Sequence, residues 1–383
     1  MSIAGATTHR TLAPAPAIGS LLASLHSPFP NPYNEFGTFV AVSGDTAVVG
    51  FPGSAYNRAA AYIYGDHHGR WALVSTLHHP AGPRGSFGGQ VAISGTTVVV
   101  AGSVVNTPSL FVYSRSHAGW PTTPTAVLAD PGERNGFGSW VAIGGTTVVA
   151  GFAGIGSSTA GAYVYEQTAG SWATTPVAVL ADPAPTSGGY TGSAVAVWGT
   201  TVVVGSSNDQ GSNAVYIYEK VSTGWPTAPT TTLPDPLSGP GDLFGGSVAI
   251  SGATVVVGDP FGDQAEGVSY IYSQGTGGWP ATPTTTLTNP SAPTHLFGAS
   301  VAVSGDTIVI SPWGGGEAPG AAYIYAMGGT GWPSTPSISL SDPTTTVDDF
   351  FGDTVGVSGT NAIVGSPGDR RAGTPATAFV FQA

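Results

Sequence analysis

The chain has 383 residues, of which 58 are glycine and 32 are proline, and it carries a formal net charge of −12 with only 8% charged residues. Its one lysine and its scattered arginines form no cationic stripe, which argues against nucleic acid and against an anionic membrane surface as partners. No apolar run approaches the roughly 20 residues of a membrane-spanning helix, and the absence of cysteine excludes disulfides and thiolate metal sites.

The first 17 residues share no pattern with the rest of the chain and are predicted to form an N-terminal tail. Met1 to Pro28 lack the cationic start and the long apolar core of a signal peptide. A surface rich in Ser, Thr and Gly and poor in lysine is typical of exported proteins, which favours an extracellular protein whose leader is absent from this chain. A cytoplasmic location stays open as the alternative.

From residue 18 onward, three landmarks recur seven times at a period of roughly 50 residues, which indicates a repeat architecture. The first is a leucine three residues before a proline, at Leu25, Leu77, Leu128, Leu180, Leu233, Leu287 and Leu340. The second is an aromatic-Gly block, with one inserted residue in the fourth copy, at Phe36, Phe87, Phe137, Tyr190, Phe244, Phe297 and Phe351. The third is an aromatic-x-aromatic pair, at Tyr62/Tyr64, Phe111/Tyr113, Tyr163/Tyr165, Tyr216/Tyr218, Tyr270/Tyr272, Tyr323/Tyr325 and Phe379/Phe381.

Each repeat is predicted to contain four strands. Strand A follows the aromatic-Gly block, as in Ser247 to Ser251, and a short turn with a glycine of positive φ leads to strand B. Strand B is an unbroken β-branched run, such as Thr254 to Val257, which predicts burial of both faces. Strand C carries the aromatic pair on one face. Strand D is predicted to open at a tryptophan that we interpret as a packing residue, namely Trp71, Trp120, Trp172, Trp225, Trp279 or Trp332.

Four antiparallel strands in each of seven repeats, with no helical stretch, predict an all-β, seven-bladed β-propeller. The chain begins with a strand D (Ile18 to Leu25) and ends with a strand C (Ala376 to Phe381). The N-terminal strand is therefore predicted to complete the last, C-terminal blade and to close the ring without exposed edges. Residues 18–383 form a single predicted domain, which we expect to be a monomer.

The repeat resembles the FG-GAP repeat, which builds the propeller of integrin α-subunits and occurs in many bacterial secreted proteins. The closest copy is Phe36-Gly-Thr-Phe-Val-Ala-Val-Ser-Gly-Asp-Thr-Ala-Val-Val-Gly50, and Gly161-Ala-Tyr-Val-Tyr165 matches the strand C part. The resemblance covers residues 18 to 383 and implies the propeller fold. For function it implies adhesion, sugar binding or other recognition, because one repeat serves many roles.

Integrin-type repeats often carry a calcium loop of several Asp and Asn residues between strands A and B. The A–B turns here hold at most one acid each, Asp45 or Asp306, and are too short to wrap an ion that takes six to eight oxygen ligands. We therefore predict no metal ion at the family position, and no metal site or cofactor in the chain as a whole.

The B–C and D–A loops are predicted to emerge on one face, where the repeats diverge most and where function usually resides. Trp313 lies outside the repeat tryptophan position and precedes Gly314-Gly-Gly316, which favours an aromatic platform for a sugar or an apolar ligand. A tryptophan packed against the neighbouring blade is the alternative. The predicted ligand-binding residues are Trp313, Glu317, Tyr56, Arg58, Asp263, His295 and Asp353.

Acidic residues are concentrated in two of these loops. Asp259, Asp263 and Glu266 lie close together in the sequence and would suit a cation, although a solvated acidic loop is the default interpretation. Asp353 stands near the predicted channel, at a position that is small or neutral in the other repeats. The pair His67-His68 falls in a C–D turn away from the favoured face, and adjacent residues on a strand point in opposite directions, so this pair is not a natural chelate.

Three functions stay open from the sequence. The first is a binding module that recognises a glycan or a protein partner through its loop-rich face, as lectin-like propellers do. The second is an enzyme that acts on a carbohydrate or small metabolite at the channel mouth, with Asp353, Asp263, Arg84, Arg134, Arg370 and His295 as the pool of catalytic groups. The third is a purely structural or adhesive repeat protein. The sequence leans away from an enzyme, because no Gly-x-Ser-x-Gly motif has a strand–helix context.

Overall fold

The computed structural model confirms a seven-bladed β-propeller made of four-stranded antiparallel sheets. The innermost strands of successive blades contact one another around a central channel, and the last contacts the first. Among the described residues no helix is long and apolar enough to cross a membrane. The structure describes residues 16–29, 35–52, 59–80, 82, 86–104, 107–132, 136–152, 160–183, 190–207, 213–239, 241–291, 296–313, 320–345, 349–368, 373–374 and 376–383.

Strand A of each blade lies at the channel, and strands B, C and D follow outward. The N-terminal edge strand and blades 1 to 3 consist of β1 (Leu21–His26), β2 (Val40–Ser43), β3 (Thr46–Phe51), β4 (Ala60–Asp66), β5 (Trp71–His78), β6 (Phe87–Ser94), β7 (Thr97–Val104), β8 (Thr107–Ser114), β9 (Ala126–Ala129), β10 (Val141–Gly144), β11 (Thr147–Phe152), β12 (Gly161–Thr168), β13 (Ser171–Trp172) and β14 (Ala178–Ala181). The two-residue β13 pairs with the end of β12 beside the true strand D, β14.

Blades 4 to 7 follow the same order and contain the one helical turn of the described chain. Their elements are β15 (Tyr190–Trp198), β16 (Thr201–Ser207), β17 (Ala214–Glu219), β18 (Thr231–Pro234), β19 (Ser247–Ser251), β20 (Thr254–Asp259), α1 (Gly262–Ala265), β21 (Val268–Ser273), β22 (Thr285–Thr288), β23 (Phe297–Ser304), β24 (Thr307–Pro312), β25 (Ala321–Ala326), β26 (Ile338–Ser341), β27 (Val355–Ser358), β28 (Asn361–Ser366) and β29 (Thr377–Gln382). Two residues of α1, Asp263 and Gln264, have φ of 50° and 61°, so α1 is a tight turn rather than a regular helix.

The ring closes as predicted, because β1 is the outer strand of blade 7. It pairs antiparallel with β29, and Leu25 stands opposite Ala378. The observed strand lies slightly later in the chain than the predicted Ile18 to Leu25, and β29 ends one residue beyond the predicted Phe381. The predicted boundary of the tail at residue 17 stays a prediction, because residues 1–15 lie outside the described part of the chain.

Strand B is buried on both faces, as its unbroken valines predict. All six residues of β28 are buried, and five of six in β24. The reason is the stacking of blades, because each strand B lies between two neighbouring sheets. Seven clusters of buried side chains result, and each joins residues of adjacent blades.

The aromatic residue and the glycine of each aromatic-Gly block contribute to packing within a blade and against the neighbouring blade, as the first copy shows. Phe36 is fully buried, and its ring centroid lies 5.6 Å from that of Tyr62 and 6.3 Å from that of Tyr64. Gly37 has a φ of 90°, and a Cβ there would lie 2.5 Å from the Thr377 carbonyl oxygen of blade 7. Only glycine permits both this backbone conformation and this close approach.

The repeat tryptophans are buried or half-buried, which agrees with packing roles, but their predicted position at the start of strand D was wrong in five blades. Trp71 opens strand D as expected, whereas Trp172 ends the short strand β13, several residues before strand D. Trp120, Trp225, Trp279 and Trp332 instead lie in the C–D turn, several residues before strand D begins. The short Gly-containing bridges that precede them, such as Gly275 with Gly278, turn the chain so tightly that strand D pairs only later.

The A–B turns are two-residue turns that connect neighbouring blades by hydrogen bonds on one face of the ring, which we call the turn face. In five of the seven boundaries, a serine of one turn accepts a hydrogen bond from the glycine N–H of the next blade. The acceptors are Ser43, Ser94, Ser251, Ser304 and Ser358. Blades 3 and 4 carry Gly144 and Trp198 at this position, so the series is interrupted there.

Candidate functional site

The beginnings of all seven strands A surround a cavity of about 340 Å³ at the other mouth of the channel. This mouth opens on the face that carries the B–C and D–A loops, which we call the loop face. Gln90, Ser300 and Asp353 supply polar groups to its wall, and Trp140 supplies an aromatic one. The mixture of polar and apolar groups fits a small polar ligand, because such pockets combine apolar walls with a few oriented polar groups.

Trp313 and Asp353, which the sequence selected for separate reasons, are in direct contact at this mouth. The Trp313 indole Nε1–H donates a hydrogen bond of 3.2 Å to Asp353 Oδ1. Trp313 follows β24 directly and is 56% exposed, and its backbone N–H donates to the Leu296 carbonyl oxygen. The indole is therefore held through its N–H, while more than half of the residue is open to solvent. Of the two arrangements that the sequence leaves open for Trp313, this exposure agrees with the exposed one.

Asp353 is a half-buried carboxyl group in the wall of the cavity. Burial raises its pKa to about 6, and the hydrogen bond from Trp313 opposes this shift. The neighbouring Thr354 Oγ1 is buried and has no hydrogen-bond partner among the described residues. The Thr354 hydroxyl therefore does not face the cavity, and the Asp353 carboxylate is the group in this part of the wall that can bind alcohol hydroxyls.

Of the other predicted site residues, Asp263 is the one that the structure describes, and it is not part of this contact. Asp263 lies in the exposed turn α1 of blade 5, whereas Trp313 belongs to blade 6 and Asp353 to blade 7. The remaining residues of the predicted set, and three arginines of the proposed catalytic pool, lie outside the described residues. These are Tyr56, Arg58, Glu317 and His295, together with Arg84, Arg134 and Arg370.

Sequence reasoning grouped the acids of blade 5 differently from the structure. Asp263 and Glu266 are exposed, whereas Asp259 is fully buried. Asp259 instead lies with Asp235 and Asp242, and one carboxylate oxygen of each lies within 4.8 Å of the others. Burial raises the pKa of Asp259 to about 7, and the charges of Asp235 and Asp242 add to the shift. The sequence contained a signal for this burial, because only this repeat has an acid at the end of strand B, a strand that is predicted to be buried on both faces.

A second cleft, of about 780 Å³, lies on the turn face between blades 1 and 2. His67, Arg115, His117 and Trp120 line it. At two other blade boundaries this space holds a glutamate that binds the next blade: Glu166 pairs with Lys220 and accepts from Trp225, and Glu219 accepts from Gln274 and Trp279. Blade 1 has Gly65 at the equivalent place, which leaves the cleft open.

Seven four-stranded blades around a channel, with an exposed tryptophan and a carboxyl group at one mouth, define a β-propeller repeat module. The family comparison agrees with this class, because the FG-GAP repeat model matches residues 238–272 and 291–325. The chain is thus a seven-bladed β-propeller in which two stretches match the FG-GAP repeat. The matched stretches cover blades 5 and 6, which carry Asp242, Asp259 and Trp313. A search among curated proteins returned no match.

Proposed function

We propose that the protein is a binding module that recognises a glycan at the channel mouth on its loop face. The observation that carries the proposal is the contact between Trp313 and Asp353, which combines an exposed indole face with an adjacent carboxylate. Sugar rings present C–H groups on one face and hydroxyls at their edges. An aromatic face packs against the former, while a carboxylate accepts hydrogen bonds from the latter.

The geometry supports a preformed site. Trp313 is fixed by its Nε1–H and by its backbone N–H, so little side-chain freedom is lost when a ligand stacks on it. The cavity of about 340 Å³ lies at the lower end of the range of small-molecule pockets, which suits a terminal sugar rather than a long chain. The Gln90 side chain offers further hydrogen bonds within the same wall.

An enzyme at this mouth is the second candidate, and the raised pKa of Asp353 is the observation that favours it. Glycoside hydrolysis, however, ordinarily uses two carboxyl groups on opposite sides of the scissile bond. Among the described residues that line the cavity, Asp353 is the only carboxyl group. We therefore expect glycans to be bound without being cleaved.

We also propose that the module works outside the cell. The support is the FG-GAP repeat, which resembles the repeats of secreted and cell-surface proteins, together with a surface that is poor in lysine. A protein partner at the same face, in place of a glycan, is an outcome that the experiment below separates.

The test is a glycan array probed with the labelled full chain, followed by calorimetric titration of each glycan that binds. The variant Trp313→Ala should weaken binding about tenfold or more, since stacking of a ring on an aromatic side chain contributes roughly 1–3 kcal/mol. Trp198→Ala is the matched control, because Trp198 is 52% exposed but lies in an A–B turn on the opposite face. Absence of any bound glycan, or an unchanged affinity in Trp313→Ala, would contradict the proposal and direct the search to protein partners.

A further inference from the structure

Three carboxylates meet at the boundary between blades 4 and 5. Asp235 follows β18, the outer strand of blade 4, while Asp242 lies in the loop that enters blade 5 and Asp259 ends β20. One oxygen of each lies within 4.8 Å of the others. The side chain of Asn213 donates to Asp235 Oδ2 and to the Asp242 carbonyl oxygen, which ties the two loops together. The one ion pair among the described residues, between Lys220 and Glu166, lies elsewhere.

Two buried oxygen atoms at this boundary have no hydrogen-bond donor among the described residues. Asp259 is fully buried, and its Oδ1 accepts from the Leu243 N–H at 3.0 Å, but its Oδ2 has no partner. Tyr270 is 2% exposed, and its hydroxyl is also unpartnered. An unpartnered buried carboxylate oxygen beside two more carboxylates is strongly unfavourable without a positive charge.

Blade 7 shows how the same loop is satisfied without an ion. Asp342 and Asp349 occupy the places of Asp235 and Asp242. There the Thr344 hydroxyl lies 2.8 Å from Asp342 Oδ1 and 3.0 Å from Asp349 Oδ2, so it bridges the two carboxylates. The Ser366 hydroxyl, at the end of strand B, donates to the Asp349 carbonyl oxygen.

Blade 5 has replaced both hydroxyl residues. Leu237 stands where blade 7 has Thr344, and Asp259 stands where blade 7 has Ser366. The Leu237 backbone N–H still donates to Asp235 Oδ1, as that of Thr344 does to Asp342 Oδ1. Both the bridging hydroxyl of Thr344 and the hydroxyl of Ser366 thus have no counterpart in blade 5, and a third carboxylate has been added. Blade 5 thus loses donors and gains negative charge at the same point.

We propose that Asp235, Asp242 and Asp259 together bind a Ca²⁺ ion at the boundary of blades 4 and 5. Carboxylate oxygens are the ligands of hard cations, and the flexible coordination of Ca²⁺ suits a site drawn from two loops and a strand end better than the strict octahedron of Mg²⁺. The site is distinct from the A–B turn that the integrin-type repeats suggest, because it lies on the loop face. The proposal departs from the sequence-based prediction, which was that the chain holds no metal ion.

The experiment uses the full chain after treatment with a chelator. Thermal unfolding is followed with CaCl₂, with MgCl₂ and with neither, and Tb³⁺ emission sensitised by protein aromatic side chains reports occupancy directly. Ca²⁺ at about 100 times its dissociation constant should raise the melting temperature by roughly 3–5 °C. Tb³⁺ emission should appear and should be displaced by Ca²⁺.

The decisive variant is Asp259→Ser, which removes the third carboxylate and places at this position the serine that blade 7 has there. It should fold, lose the Ca²⁺-dependent rise in melting temperature and lose Tb³⁺ emission. Asp242→Asn, which keeps an acceptor for the Gly239 N–H, provides a second test with the same expected loss. Asp306→Asn, in an exposed A–B turn, is the control and should respond as the unmodified chain does. The proposal is overturned if the unmodified chain does not respond to Ca²⁺, or if Asp259→Ser responds equally.

Discussion

The indole N–H of Trp313 and the carboxylate Oδ1 of Asp353 are 3.2 Å apart across the boundary between blades 6 and 7. Each residue departs from its repeat, since other blades have no tryptophan after strand B and no acid at the start of strand A. Their contact therefore couples two departures from the repeat. The contact holds the aromatic side chain at the channel mouth. Its hydrogen bond also offsets part of the unfavourable burial of the Asp353 carboxylate.

The first prediction concerns pH. Because burial raises the pKa of Asp353 from 3.8 to about 6, the folded state binds more protons than the unfolded state between these values. The free energy of unfolding therefore falls as pH rises from about 4 to 6, because the carboxyl group must then ionise in a half-buried place. Above about pH 6 this destabilisation is fully present. Asp353→Asn keeps an acceptor for Trp313 and should be more stable than the unmodified chain at pH 7, by about 2–3 kcal/mol at most.

Urea unfolding of both proteins at pH 4 and pH 7 measures this difference. The gap between variant and unmodified chain should be near zero at pH 4 and should open by pH 7. Asp306→Asn, which removes an exposed acid of an A–B turn, should show no such gap. An equal gap at both pH values would mean that Asp353 has the same protonation in the folded and unfolded chain.

The second prediction separates the packing tryptophans from the exposed ones. Trp279 is 8% exposed, belongs to the buried cluster between blades 4 and 5, and donates its Nε1–H to Glu219 Oε1 at 3.3 Å. Trp279→Ala should lower the free energy of unfolding by about 3–5 kcal/mol. Trp198→Ala, the exposed control, should change it by less than about 0.5 kcal/mol. Equal losses in chemical denaturation would show that the interpretation of Trp279 as a blade-joining residue is wrong.

The third prediction tests the hydrogen bonds between A–B turns. Ser304 Oγ accepts from the Gly359 N–H at 3.1 Å, so Ser304→Ala should cost about 1 kcal/mol. The reverse change is available in blade 4, where Trp198→Ser would place a hydroxyl next to the turn glycine of blade 5. It should stabilise the chain by about 0.5–1 kcal/mol. The two variants should therefore shift the urea midpoint in opposite directions, and shifts of the same sign would contradict the model of linked turns.

The fourth prediction concerns ring closure. In blade 7, β1 supplies the buried Leu25, and the His26 carbonyl oxygen accepts a 2.6 Å hydrogen bond from the Tyr64 hydroxyl of blade 1. Removal of residues 1–28 should leave β29 as an unpaired edge and should cause aggregation or a much lower melting temperature. Removal of residues 1–14 should have little effect. Equal melting temperatures for the two truncations, measured by calorimetry, would contradict closure through β1.

Much of the fold was predictable because the information for it is local and is repeated. The alternation in Tyr62-Ile63-Tyr64 places both rings on one face, and the valines of strand B predict burial on both faces, without knowledge of any distant residue. The incomplete repeats at the two ends predicted the shared blade. The start of strand D was predicted less well. A Gly-rich segment before Trp279 is compatible both with a strand that begins at the tryptophan and with a tight turn that continues past it, and the sequence does not distinguish the two.

The sequence by itself therefore determined the class of fold, the number of blades and the closure of the ring, whereas it left open whether Trp313 is exposed or packed against the neighbouring blade. Tertiary structure alone decided which side chains meet between blades. Asp259 appeared to belong with Asp263 and Glu266, its neighbours in the chain, yet the end of strand B points its carboxylate inward to Asp235 and Asp242. The physical reason is that the repeat specifies each blade locally, whereas contacts across a blade boundary depend on how two separately specified sheets pack. Both the Trp313–Asp353 contact and the three-carboxylate cluster lie at such boundaries.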